Sequence, residues 1–93
     1  MDIATLQHWA RENFGAALEP LPLDYGVARL LVQAGQLGEA ALQGRPDVDK
    51  ELADVLFVLV SLANRCGVDL AAAATQLAER SPAEIIGRLG SKQ

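Results

Sequence analysis

The chain is poor in the features that mark several large classes of protein. It has one cysteine, Cys66, so no disulfide can close within it, and a reducing, cytoplasmic setting is expected. Only four residues are aromatic, while Ala and Leu dominate, which favours helices over sheets. Positive charge is in deficit. The formal net charge of −4 argues against broad nucleic-acid binding, which needs a basic face. No basic segment followed by an apolar run opens the chain, so no signal peptide is expected. The apolar run Val55–Ala63 is too short and too close to charges to span a bilayer, so no membrane partner is expected.

What is there is a small, apolar-rich chain. Its 93 residues suffice for a single domain over 1–93, and 51% of them are hydrophobic. A core of this size is modest. Association with a second copy is a natural way to cover surplus apolar surface.

Apolar spacing and punctuation predict an all-α bundle of four to five helices. A first helix is expected over 2–14, capped by Asp2, with Gly15 as its stop. Trp9 and Phe14 read as core anchors, and His8 as a surface or boundary residue without a ligating neighbour. Pro20 and Pro22 mark a connector, and Asp24 is the expected cap of a second helix over 25–43. Its apolar stripe reads Val27, Leu30, Leu31, Ala34, Leu37, Ala41. Gly35 and Gly38 inside it leave room either for another helix or for a ligand. The turn 44–49, GRPDVD, is short enough to make the second and third helices antiparallel neighbours.

The third helix is central. Its stretch Lys50–Leu70 reads KELADVLFVLVSLANRCGVDL. From Val55 to Ala63 only Ser61 is polar, so this helix must be covered on most sides. It ends near Arg65–Cys66 with Gly67 as stop, and Cys66 reads as a small buried filler. Asp69 caps a fourth helix over 70–79. Ser81-Pro82-Ala83-Glu84 is a capping box for a short last helix packed through Ile85, Ile86 and Leu89, with fraying from Gly90 onward.

Glu51 and Asp54 stand one helical turn apart, so both point to one side of the third helix. Two carboxylates on one face can hold a hard cation such as Mg2+. Acidic residues also favour the first turn of any helix through its dipole. Asp54 is already a turn in and is followed at once by Val55, Leu56 and Phe57. Loop length and helix phase would bring Gln33, Gln36 and Glu39 of the second helix toward this pair.

The segments ARLLVQAGQLGEAAL and ELADVLFVLVSLANRCGVDL together resemble the MazG-like nucleoside triphosphate pyrophosphohydrolases, the all-α NTP pyrophosphatases. The resemblance runs from about Leu6 to Leu77. Its specific part is the ExxD motif of Glu51 and Asp54 followed by the LAN and GVDL context. It implies a helical bundle completed by oligomerisation, as a homodimer or a dimer of dimers. It also implies Mg2+- or Mn2+-dependent conversion of NTPs or dNTPs to monophosphates and pyrophosphate, with metal held by an EExxE motif and the ExxD motif. On this resemblance Glu51 and Asp54 hold metal, Glu39 is either recruited from a shifted place or lies on the surface, and Asn64 and Asp69 match a nucleotide-binding motif. Asn64 and Asp69 read equally well as helix-end structure.

The chain departs from the family where the chemistry is concentrated. Val32, Gln33 and Gln36 stand where the EExxE glutamates are expected, and Leu77 stands where a phosphate-binding lysine is common. Gln keeps a carbonyl oxygen but is neutral and cannot act as a base. The substitution also removes repulsion among clustered carboxylates. The expected functions are therefore a pyrophosphohydrolase with an impaired metal site, a catalytically silent nucleotide-binding or partner protein on the same scaffold, or a helical oligomerisation module. Arg29, Lys50 and Arg65 are the candidate phosphate contacts.

Overall fold

A computed structural model describes residues 1–90 of the chain. Among them the elements are α1 (Ile3–Leu18), α2 (Leu23–Leu42), α3 (Val48–Arg65), α4 (Leu70–Ala78) and α5 (Pro82–Gly90), with no strand. The all-α architecture expected from composition and spacing is the one observed.

Two glycines set the antiparallel path. Gly44 and Gly67 adopt φ of 64° and 68°, the left-handed conformation that suits a residue without Cβ. Each ends its helix in a Schellman motif. After α2, the N–H of Arg45 donates to Ala40 O and that of Gly44 to Ala41 O. After α3, Val68 N–H donates to Ala63 O and Gly67 N–H to Asn64 O. Asp69 caps α4 as expected, its Oδ1 accepting from Ala72 N–H at 3.0 Å, and Ser81 Oγ accepts from Glu84 N–H at 3.1 Å.

Two boundaries differ from expectation. α1 runs through Gly15 to Leu18, because Gly15 lacks the positive φ that ends a helix and keeps helical hydrogen bonding, with Glu19 N–H donating to its carbonyl at 2.9 Å. α2 begins at Leu23 behind Pro22, so Asp24 lies inside the first turn instead of capping it. There its charge still favours the helix N-terminus through the dipole.

α3 lies between α1 and α2, and α4 leans on α1. The face of α2 turned to α3 is offset from the predicted stripe. It carries half-buried Gly26, Leu30 and Leu37 with fully packed Gln33 and Ala40, whereas Val27 and Leu31 remain 45% and 69% exposed. The helix has apolar residues on more than one side, so its own spacing leaves the phase ambiguous. Gly26 lies on the packed face: a Cβ there would meet Leu62 Cδ2 at 2.6 Å, so the glycine lets α2 pack tightly on the Leu62 side chain of α3. Gly35 and Gly38 face open space among the described residues, with nothing within 4 Å of where a Cβ would stand.

The core is small and built of Ala10, Ala40, Val58, Val60 and Ala63. Trp9 and Phe14 are not buried anchors. They are 43% and 38% exposed and form a rim with Phe57, in edge-to-face contacts with centroids 5.1–6.3 Å apart. The cover expected around α3 is incomplete, because Leu52, Leu56 and Leu59 form a stripe that stays 40–54% exposed. Cys66 is exposed, since the turn at Gly67 carries it outward. Of the three residues expected to pack α5, Ile85 is half-buried and Ile86 and Leu89 are exposed. The expected fraying past Gly90 lies outside the described residues.

Among the described residues no single helix is long and apolar enough to cross a membrane.

Candidate functional site

A cavity of about 320 Å3 opens where α1, the 19–22 connector, α2 and α3 meet. Its walls are chiefly apolar, with Phe14, Tyr25 and Phe57 contributing rings and Gly26 a bare stretch of backbone. Two arginines, Arg29 on α2 and Arg65 at the end of α3, also line it, with the carboxylates of Glu19 and Asp54. Arg65 Nε lies 3.4 Å from Leu21 O, which ties it to the connector.

Three further polar side chains line this space. Gln33 and Asn64 are only 7% and 9% exposed, and Ser61 is half-buried. Gln33 Oε1, Ser61 Oγ and Asn64 Oδ1 are all shielded from solvent and have no hydrogen-bond partner among the described residues. A buried polar atom without a partner costs about 1–3 kcal/mol, so three such atoms on residues that line one cavity are an uncommon concentration. Helix phase puts them there. Gln33 occupies the α2 face turned to α3, and Ser61 and Asn64 are one turn apart on α3.

Asn64 has a second task. Its Nδ2 donates to Gln7 O at 3.0 Å, joining α3 to α1. Gln7 in turn spans the α3–α4 turn, its Nε2 donating to Val68 O at 2.6 Å and its Oε1 accepting from Leu70 N–H at 3.1 Å. Sequence reasoning missed Gln7, since nothing in its local pattern shows contacts with residues more than sixty positions away. Asp69 acts as a helix cap and does not line the cavity.

The acidic residues separate. Asp54 lines the cavity, whereas Glu51 turns toward the α2–α3 turn. There Arg45 forms a two-pronged contact with Asp47, Nε to Oδ1 at 3.0 Å and Nη2 to Oδ2 at 2.6 Å, and lies 4.0 Å from Glu51 Oε1. The guanidinium holds the Asp47 carboxyl below its ordinary range, and Asp47 raises Arg45 in return, with smaller contributions from Glu51 and Glu39. Glu39 is otherwise 3.4 Å from Gln43 Nε2 on the α2 surface, and Gln36 is exposed.

These donors do not match the multi-carboxylate cluster that the family resemblance implies. Among the described residues no three His, Cys, Asp or Glu side chains come together as a metal-binding group. Glu51 has a guanidinium for a neighbour, and the inward-facing position on α2 is the neutral Gln33. Glu51 Oε2 is nonetheless buried and unpartnered, so one acidic oxygen remains beside the core. His8 pairs with Glu12 at 2.9 Å on the exposed side of α1, away from the cavity.

What fold and site define together, among the described residues, is an all-helical protein with a chiefly apolar cavity edged by two arginines. Compared with protein-family models, with curated proteins and with solved structures, the chain matches none.

Proposed function

We propose that this chain is a nucleotide-binding protein on a MazG-like scaffold whose pyrophosphohydrolase chemistry is impaired or silent. The observation that carries the reading is the cavity itself. Aromatic walls suit the face of a base, the polar side chains among the lining residues suit its edge, and Arg29 and Arg65 suit phosphate. The site resembles what remains of a hydrolase after its metal ligands are neutralised: Asp54 is kept at the cavity, Gln33 stands opposite on α2, and Arg45 supplies positive charge beside Glu51.

The test is to titrate purified protein with NTPs and dNTPs, with and without Mg2+ or Mn2+, while following pyrophosphate release. The expected result is binding with little or no turnover. Clear turnover would mean that Glu51, Asp54 and Glu39 rebuild a metal site, and would restore the active-enzyme reading. Absence of binding to any nucleotide would overturn the proposal.

A second reading concerns assembly. Leu52, Leu56 and Leu59 form one exposed stripe, and an apolar groove beside it runs between Trp9 on α1 and Leu56 on α3. Such a surface on a chain of this size favours pairing with a second copy, as a homodimer or a dimer of dimers. Sedimentation of the natural chain against Leu56→Glu tests it, with a fall in mass expected for the variant.

A further inference from the structure

We infer that α2 pairs antiparallel with α2 of a second copy of this chain, through an exposed apolar seam centred on Gly35 and Gly38. The inference rests on the assembly reading and adds the helix that meets its copy, the register and the contact. α2 carries two seams of the same spacing. Gly26, Leu30, Gln33, Leu37 and Ala40 recur at intervals of four and three residues and pack toward α3. Val27, Leu31, Ala34, Gly38 and Ala41 repeat that spacing one residue later, about 100° around the helix. Every member of the second seam is exposed, Leu31 by 69%, and Leu42 at its end is 91% exposed. No charged residue stands on this seam, because Arg29 and Glu39 fall on other sides of the helix.

Continuity and self-complementarity point to a second copy as the occupant. The cavity is lined by Gly26, Arg29 and Gln33 of α2 and by Asp54, Phe57 and Ser61 of α3. Helix phase puts the second seam of α2 and the stripe of Leu52, Leu56 and Leu59 on the sides opposite those residues, so the two run side by side on one face. Two helices about 10 Å across, over the about 22 Å from Val27 to Leu42, make a face on the order of 400 Å2 in projection. Its ridged side chains bring the accessible area toward the roughly 800 Å2 per partner of a stable dimer. Gly35 and Gly38 have nothing within 4 Å of where a Cβ would stand, so they form a notch that no described residue fills. In an antiparallel pair with two-fold symmetry, the register that sets Leu31 of one copy on Gly38 of the other sets the reverse contact too. It also places Ala34 against Gly35 and Val27 against Leu42. The same register brings Asp24, in the first turn of α2, to the end of the other α2 where Arg45 stands, opposite charges at the rim.

The experiment is sedimentation equilibrium of the full chain beside Leu31→Glu, Gly38→Leu and Leu56→Glu. The natural chain is expected to associate, and Leu31→Glu to be monomeric at concentrations where the natural chain is paired. Gly38→Leu separates packing from folding. Gly38 faces open space in the single chain and leucine is the better helix former, so the variant is expected to keep or gain helicity by circular dichroism. Filling the notch is nonetheless expected to raise the dimer dissociation constant at least about tenfold. A natural chain that stays monomeric would overturn both this inference and the assembly reading. Association lost in Leu56→Glu but unmoved by Leu31→Glu and Gly38→Leu would overturn the α2 contact while the assembly reading stands. Loss with Leu31→Glu and none with Gly38→Leu would overturn the antiparallel register at the notch.

Discussion

The two ends of the α2–α3 pair handle polar groups in opposite ways. At the turn end, the charges meet a cation that the chain itself provides: Arg45 clamps Asp47 and approaches Glu51. At the cavity end, the polar groups Gln33, Ser61 and Asn64 are mostly neutral neighbours of one space and have oxygens with no partner. The turn end is largely satisfied from within by a half-exposed Arg45–Asp47 pair, with Glu51 Oε2 beside it the one buried oxygen left unpartnered there among the described residues. The other is buried and incomplete. Groups that the chain satisfies internally serve the fold, whereas groups kept buried at a cost without a partner suit an external one.

The largest way to break this contrast is to put charge at the incomplete end. Gln33→Glu should destabilise the protein by about 3 kcal/mol without divalent cation, because it buries a carboxylate with no compensating charge. The paired change Gln36→Glu lies on an exposed face and should stay within about 0.5 kcal/mol. Urea unfolding of the single and double variants measures both. A rise in the double variant's melting temperature with added Mg2+ would show that restored charges recover metal binding.

Next comes a test within the cavity end itself. Asn64→Leu should cost about 1 kcal/mol in urea unfolding, since it removes the side-chain hydrogen bond that ties α3 to Gln7 O on α1. Gln33→Met should act with the opposite sign and stabilise by about 1 kcal/mol, because it removes an unpartnered buried acceptor at nearly constant volume. Two amides on one cavity would thus be separated by sign: one is partly structural and the other is retained for something outside the chain.

The smallest effect belongs to the turn end. The Asp47 carboxyl is held below its ordinary value of 3.8 by its hydrogen bonds from Arg45. A carboxyl lowered on folding contributes stability that is complete above its unfolded value and is lost as pH falls through the lowered folded one. Asp47→Asn should therefore flatten the acid limb of a melting-temperature profile below about pH 4, with little change near pH 7 beyond the lost ion pair. Since both partners are well exposed, added salt should shrink the difference further.

Much of the fold is legible in local sequence. Gly44 and Gly67 stop helices where expected, Asp2 and Asp69 cap them, and the short turn makes α2 and α3 antiparallel. Gly15 is not a stop and Asp24 is not a cap, because both roles depend on a backbone conformation that neighbouring turns imposed. The candidate site was legible in composition but not in arrangement. Gln33, Asn64 and Asp54 do share one space, yet Glu51 turns away to Arg45, Gln36 and Glu39 stay on the surface, and Cys66 lies outside the core.

By itself the sequence determined that this chain is helical and where α2 and α3 end. Those are properties of a few adjacent residues or of a simple sum. Tertiary structure alone decided that Gln33 faces inward while Leu31 faces out, that Gln7 ties the α3–α4 turn to α1, and that three oxygens are left unpartnered on residues that line one cavity. A helix with apolar residues on several sides does not choose its own buried face. Here the packed face includes the tight contact of Gly26 with the Leu62 side chain, which exists only once two helices have met.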